Sequence, residues 1–125
     1  MSKILVIDDE PGIRAIMCSA LEAAGYEMVG FAEGGGAIEH VREESADLLI
    51  TDIFMPEVEG LETIREIRRL RPDMPIIAIS GIDLEGADYL GFARKFGAAA
   101  TLRKPFWPTD YLIWSHAFSV RLKLW

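Results

Sequence analysis

The residues best placed to do chemistry are acids. Asp8, Asp9 and Glu10 directly follow the apolar run ILVI, and Pro11 and Gly12 turn the chain just after them. Asp52 closes a second such run, LLIT, while Ser80 closes IIAI and Lys104 closes ATLR. Carboxylates brought together repel one another unless a cation shares them, and a hard divalent ion such as magnesium takes one or two carboxylates and fills its shell with water. An ammonium from Lys104 and a hydroxyl from Ser80 add donors for a phosphoryl group, with Asp52 as the reacting oxygen. In-line phosphoryl transfer is mostly positioning and charge neutralisation, and the acyl phosphate it leaves is open to hydrolysis by water.

For these residues to meet, the apolar runs must be neighbouring strands that end together. KILVID, EMVGFA, DLLITD, PIIAIS and AATLRK are five short runs bounded by turn residues. Helical spacing separates them. A helix after Pro11 is expected to bury Ile13, Ile16, Met17, Ala20 and Leu21 and to close at Gly25. GGGAIEHVREE carries Ile38 and Val41 on one face, and LETIREIRRLR repeats Leu61, Ile64, Ile67 and Leu70 before Pro72 stops it. Residues 88–96 read as a fourth helix ended by Gly97. Strands apolar on both faces and alternating with helices belong in an α/β doubly wound parallel sheet, whose chemistry collects beyond the carboxyl ends of the strands.

Composition narrows the possibilities. A chain of 125 residues, half of them hydrophobic, suits one domain with a sizeable core. Its net charge of −7 disfavours direct binding to nucleic acid or to anionic membrane surfaces. The single cysteine, Cys18, excludes an internal disulfide and reads as a small core residue of the first helix. With neither a signal segment nor a run of membrane-spanning length, a cytoplasmic location is expected.

In combination, VIDDE, LLITDIFMPEVEG, IAISG and LRKPF after GAAA make the chain resemble the receiver domain of two-component response regulators, the chemotaxis-regulator-like fold, from Lys3 to about Phe106. The resemblance implies a five-stranded flavodoxin-like sheet of order 2-1-3-4-5 with helices on both faces. It implies that residues 1–125 form a single receiver domain, with a core over 3–106 and an atypical aromatic element over 107–125. Asp52 would become an aspartyl phosphate, and Asp8, Asp9, Asp52 and the backbone carbonyl of Phe54 would hold Mg2+, with Asp9 the more direct ligand of the acid pair. Lys104 would pair with the phosphoryl oxygens and Ser80 would move to hydrogen-bond them. Lys104-Pro105 would be a cis peptide, and Met55-Pro56 and Gly60 would shape the loop after the acceptor. The implied function is a signalling switch and not an enzyme. A histidine kinase or histidine phosphotransfer protein donates the phosphoryl group, and a downstream protein target reads the change.

The chain departs from the family's pattern in three places. Thr101 stands where receivers commonly carry an inward-swinging aromatic residue, and GIDLEGADYLGF lengthens the interval from Ser80 to Lys104. All three tryptophans, Trp107, Trp114 and Trp125, follow the lysine motif. Tyr111, Trp114, Phe118, Leu122 and Trp125 fit a helical stripe, yet Phe118, Val120, Leu122 and Leu124 alternate as in a half-buried strand. A helix is expected to about Phe118, with both forms open beyond it. So much aromatic surface suggests a homodimer or a partner contact through this tail, or through the face of the fourth helix, fifth strand and last helix.

Rival functions are weighed on the same residues. A receiver-like scaffold that no longer signals by phosphate would fit Thr101, but the full set of acids, hydroxyl and lysine argues against it. A small magnesium-dependent phosphatase places its nucleophile at the end of the first strand with another Asp two positions on, where this chain has Glu10. A flavin carrier needs a hydroxyl- and glycine-rich phosphate loop, which DDEPG is not. Gly34, Gly35 and Gly36 lack the lysine and hydroxyl of a phosphate-binding loop and read as a flexible lead into a helix. His40 and His116 read as ordinary helix residues, and REIRRLR as the wet face of the third helix. Phe54 and Ile82 are placed to slow the access of water to the pocket.

Overall fold

Runs of Ile, Leu and Val without polar alternation need cover on both faces, and the chain supplies it with helices between parallel strands. The computed structural model describes residues 3–52, 59–80 and 100–103. Within them the order is β1 (Lys3–Ile7), α1 (Pro11–Ala23), β2 (Glu27–Phe31), α2 (Gly34–Glu43), β3 (Leu48–Asp52), α3 (Glu59–Leu70), β4 (Ile76–Ser80) and β5 (Ala100–Arg103). The strands form one parallel sheet of order β2-β1-β3-β4-β5, as the resemblance implies. The expected fourth helix over 88–96 and the aromatic element over 107–125 lie outside the described residues.

Strand order reverses once, between β1 and β3, and right-handed crossovers then put α1 on one face and α2 and α3 on the other. The core divides accordingly. Ile4, Val6, Leu48, Ile50, Ile77 and Ile79 face the side of Met17 and Leu21 from α1. Leu5, Ile7, Leu49, Ile76 and Ala78 face Ala37 and Val41 of α2 and Leu61, Ile64 and Ile67 of α3. Each buried Leu or Ile contributes about 1.5–3 kcal/mol relative to exposure, so burial on both faces stabilises the sheet whose strand ends carry the acids.

Pro11 sits at the start of α1, where a missing N–H costs nothing, and Gly25 takes a positive φ of 100° just past its end. One expectation for this helix fails. Ile16 is 61% exposed. Met17 and Leu21 point into the sheet with Ile13 and Ala20 beside them, and Ile16 lies about 100° round the helix from Met17, off the buried arc. Cys18 is half-buried against the same cluster, and its thiol is pushed up by burial and by the Glu22 carboxylate, against a weaker opposing pull from Arg14.

The three glycines form the first turn of α2, the helix entry the sequence suggests, but two of them are seats for neighbours and not points of flexibility. A Cβ on Gly34 would stand 1.9 Å from the Thr63 Oγ1 of α3, and one on Gly36 would stand 2.8 Å from the Phe31 ring. His40 has company too. It meets Phe31 edge-on at 5.9 Å and lies 3.4 Å from the Lys3 Nζ. That ammonium donates to Glu44 at 2.9 Å, which raises the Lys3 pKa and lowers that of Glu44. Arg71 donates from Nε and Nη2 to the Val41 carbonyl and so ties the end of α3 to the last turn of α2.

Candidate functional site

The acid cluster is a product of where β1 stops. The Asp8 N–H adds one more bond to β2, to the Phe31 carbonyl at 3.1 Å, after which the chain leaves the sheet. The Glu10 N–H then donates to the Asp8 Oδ1 at 2.9 Å, an Asx-type turn closed by the carboxylate's own backbone neighbour two residues on. Arg14 donates from Nη1 to the Asp8 carbonyl oxygen at 2.6 Å. Asp8 is thereby held at its amide, its side chain and its carbonyl, and it is buried with 1% exposure while Asp9 and Glu10 are exposed.

One carboxylate oxygen from each of Asp8, Asp9 and Glu10 falls within 4.8 Å of the others. Glu10 thus joins the acid pair as a third carboxylate. The sequence places it in the run of acids, but its closeness depends on the turn. The start of α1 follows immediately, and the positive end of its helix dipole favours negative charge and offsets part of the repulsion.

The backbone sets Asp52 beside Asp8 on the neighbouring strand, although its carboxylate is not one of the three that lie within 4.8 Å of one another. Ile7 is paired with Thr51, so Asp8 and Asp52 are each the next residue on parallel strands about 4.8 Å apart. Asp52 is 3% exposed and ends β3. The buried Thr51 hydroxyl donates to the Asp52 carbonyl at 3.1 Å. Asp52 is in turn paired with Ile79, which makes Ser80 the next residue along, and Ser80 is paired with Arg103. The backbone therefore brings Asp8, Asp52 and Ser80 to adjacent carboxyl ends of β1, β3 and β4, at the point where strand order reverses. Lys104 and Phe54 lie outside the described residues, as do Met55, Pro56, Pro105 and Ile82.

Among the described residues the grouped ligand atoms are carboxylate oxygens, which suit a hard divalent ion such as Mg2+ or Mn2+ better than a soft metal. A cavity of about 320 Å³ opens at the other end of the sheet, between Ser45, Ala46, Arg71, Asp73 and Pro75. It has no converging carboxylates, and Arg71 beside it is already engaged with the Val41 carbonyl, so it is no rival to the acid cluster. Among the described residues, no helix is long and apolar enough to cross a membrane.

Comparison with known proteins agrees with this fold. The family model described as response regulator receiver domain matches residues 4–113. The chain is 41% identical over 81 residues to the response regulator receiver protein CpdR of Brucella abortus, an alignment covering 65% of this chain and 68% of that protein. It is 32% identical to the alkaline phosphatase synthesis transcriptional regulatory protein PhoP of Bacillus subtilis, over 86% of this chain but only 44% of that protein. Among solved structures, a response regulator receiver domain protein from Clostridium thermocellum superposes with a TM-score of 0.86 at 35% identity, covering 99% of this chain and 98% of that one.

Proposed function

Because the chain belongs to the response regulator receiver domain family, we propose that it is a phosphoacceptor switch whose acceptor is Asp52. The observation that supports this most directly is the pairing of Ile7 with Thr51, which makes Asp8 and Asp52 neighbours at the strand-order reversal, beside Asp9 and Glu10. Receiver domains of this family typically bind Mg2+ in an acidic pocket. In our reading Asp8, Asp9, Asp52 and the Phe54 carbonyl hold the ion here. When bound, it supplies positive charge against the phosphoryl oxygens.

An Asp52 carboxylate oxygen attacks the phosphorus of a phosphohistidine on a histidine kinase or phosphotransfer protein. The P–N bond breaks as the P–O bond forms, and its electron pair stays on the imidazole nitrogen. Asp52 is buried at a strand end, which limits the freedom of its carboxylate, and positioning is the larger part of catalysis in such a transfer. Asp8 is fixed at its amide, its carbonyl and one carboxylate oxygen. Lys104 is assigned to the phosphoryl oxygens and Ser80 to a hydrogen bond with them. Hydrolysis of the acyl phosphate by water resets the switch. Its output is a changed affinity for a downstream protein through the face of β5, the expected fourth helix and the last element, whose aromatic residues also suit a homodimer. A cytoplasmic location accompanies this reading.

Intact mass after incubation with a small-molecule phosphodonor and Mg2+ tests the proposal, with Asp52→Asn and a chelator as controls. One phosphoryl adduct that requires both Asp52 and metal is expected. No adduct on a folded chain with an active donor would replace the switch with a receiver-like scaffold.

A further inference from the structure

Asp8 is held in part by a side chain that lies outside the acid motif. We propose that Arg14 is a positioning residue for the metal-binding carboxylate of Asp8, and that Gly30 is the passage that lets it reach. The proposal rests on reading the acid cluster as a divalent-cation site.

Arg14 lies in the opening turns of α1, six residues past Asp8, and is half-buried. Its Nη1 donates to the Asp8 carbonyl at 2.6 Å, a short charge-assisted bond to a peptide oxygen just beyond the last paired residues of β1. The aliphatic stem of the arginine gets there by crossing β2 at Gly30. A Cβ on Gly30 would stand 3.3 Å from the Arg14 Cδ, 3.4 Å from its Cγ and 3.4 Å from the Cys18 Sγ. Such contacts are tight enough that the stem, the thiol or the strand would have to give way. Glycine at this strand position therefore has a packing reason, since the space of its missing side chain is filled by the arginine's methylenes.

With this bond, links from three elements hold Asp8, among them Phe31 of β2, Glu10 of the turn and Arg14 of α1. A peptide fixed on both sides leaves its carboxylate little freedom, and partners that orient a ligand typically change metal affinity by 10–100-fold when removed. Arg14 acts on the ligand's backbone and not on its oxygens, which places its effect at the lower end. The opposing possibility is that the guanidinium serves mainly as a resident cation that neutralises the acids. Its removal would then tighten metal binding.

Calorimetric titration of the full chain with MgCl2, each variant first shown folded by circular dichroism, separates these. Arg14→Met keeps the stem and removes the guanidinium, and its Mg2+ dissociation constant is expected to rise about tenfold. Arg14→Lys, whose ammonium can still reach the carbonyl, recovers most of the loss. Gly30→Ala leaves the charge in place and displaces the stem, and a rise of about threefold is expected, where a resident-cation role gives none. In an Asp8→Asn background Arg14→Met loses its effect. Unchanged or tighter binding by Arg14→Met, with normal binding by the wild type, overturns the proposal. Should Arg14→Met fail to fold, unchanged binding by Gly30→Ala overturns it alone. No binding by the wild type instead overturns the cation site itself.

Discussion

Removing one acid from the site should make the metal-free protein more stable and the metal-loaded protein less so. Asp9→Asn is the cleanest perturbation, since it preserves shape and Asp9 is exposed, so no buried group is orphaned. Its carboxylate lies within 4.8 Å of oxygens from Asp8 and Glu10. Two like charges at that separation repel by about 0.9 kcal/mol at the permittivity of water and about 3.5 kcal/mol at an effective value of about 20. Exposure of Asp9 and Glu10 puts the real figure near the lower value, so relief from both neighbours amounts to about 2 kcal/mol. The positive end of α1 returns about 0.3–1 kcal/mol to the charged form, leaving a net gain of about 1 kcal/mol. For a domain of this size that raises the melting temperature by about 3–6 °C. Magnesium reverses the order. At ten times its dissociation constant the wild type gains about 1.4 kcal/mol, and at a hundred times about 2.7 kcal/mol, which the variant lacks. Differential scanning calorimetry in chelator and in a magnesium series reads both halves, and 1 M salt should shrink the metal-free gain because the charges are exposed. If Asp9→Asn melts at or below the wild type in chelator, or gains as much from magnesium, the reasoning is wrong.

Three other outcomes follow from the packing. Gly34→Ala forces a methyl group against the buried Thr63 and should cost about 2–3 kcal/mol in urea denaturation, whereas Gly12→Ala, with nothing near its would-be Cβ, should not destabilise by overpacking. Ile16→Ser should change stability by less than about 0.5 kcal/mol, whereas Met17→Ala one residue away should cost about 2–5 kcal/mol. The Lys3–Glu44 pair predicts a pH window, read from urea midpoints of wild type and Lys3→Met. The lowered pKa of Glu44 adds stability above its ordinary 4.5 that is lost as pH falls through the folded value. The raised pKa of Lys3 adds stability below its ordinary 10.5 that is lost as pH rises through the folded value, so the difference should be flat between and shrink at both ends.

The sequence alone determined the strands, their parallel class and the type of chemistry, because these are local. Short β-branched apolar runs bounded by turn residues favour buried strands, and Asp8, Asp9, Asp52 and Ser80 announce themselves by ending such runs. Pattern matching to a family then supplied the strand order. What it could not supply were contacts between residues distant in the chain. Ile16 fits a helical stripe, yet how wide that stripe is depends on where the sheet's edge falls. Gly34 and Gly36 look like flexibility until Thr63 and Phe31 occupy the space beside them. Arg14 looks like an ordinary helix charge until β2 brings Gly30 beneath its stem and the end of β1 brings a carbonyl within reach. Residue types report what a position can do. Tertiary structure decided which groups meet, because a close approach is set by the shapes of both partners, and a single chain position records only one of them.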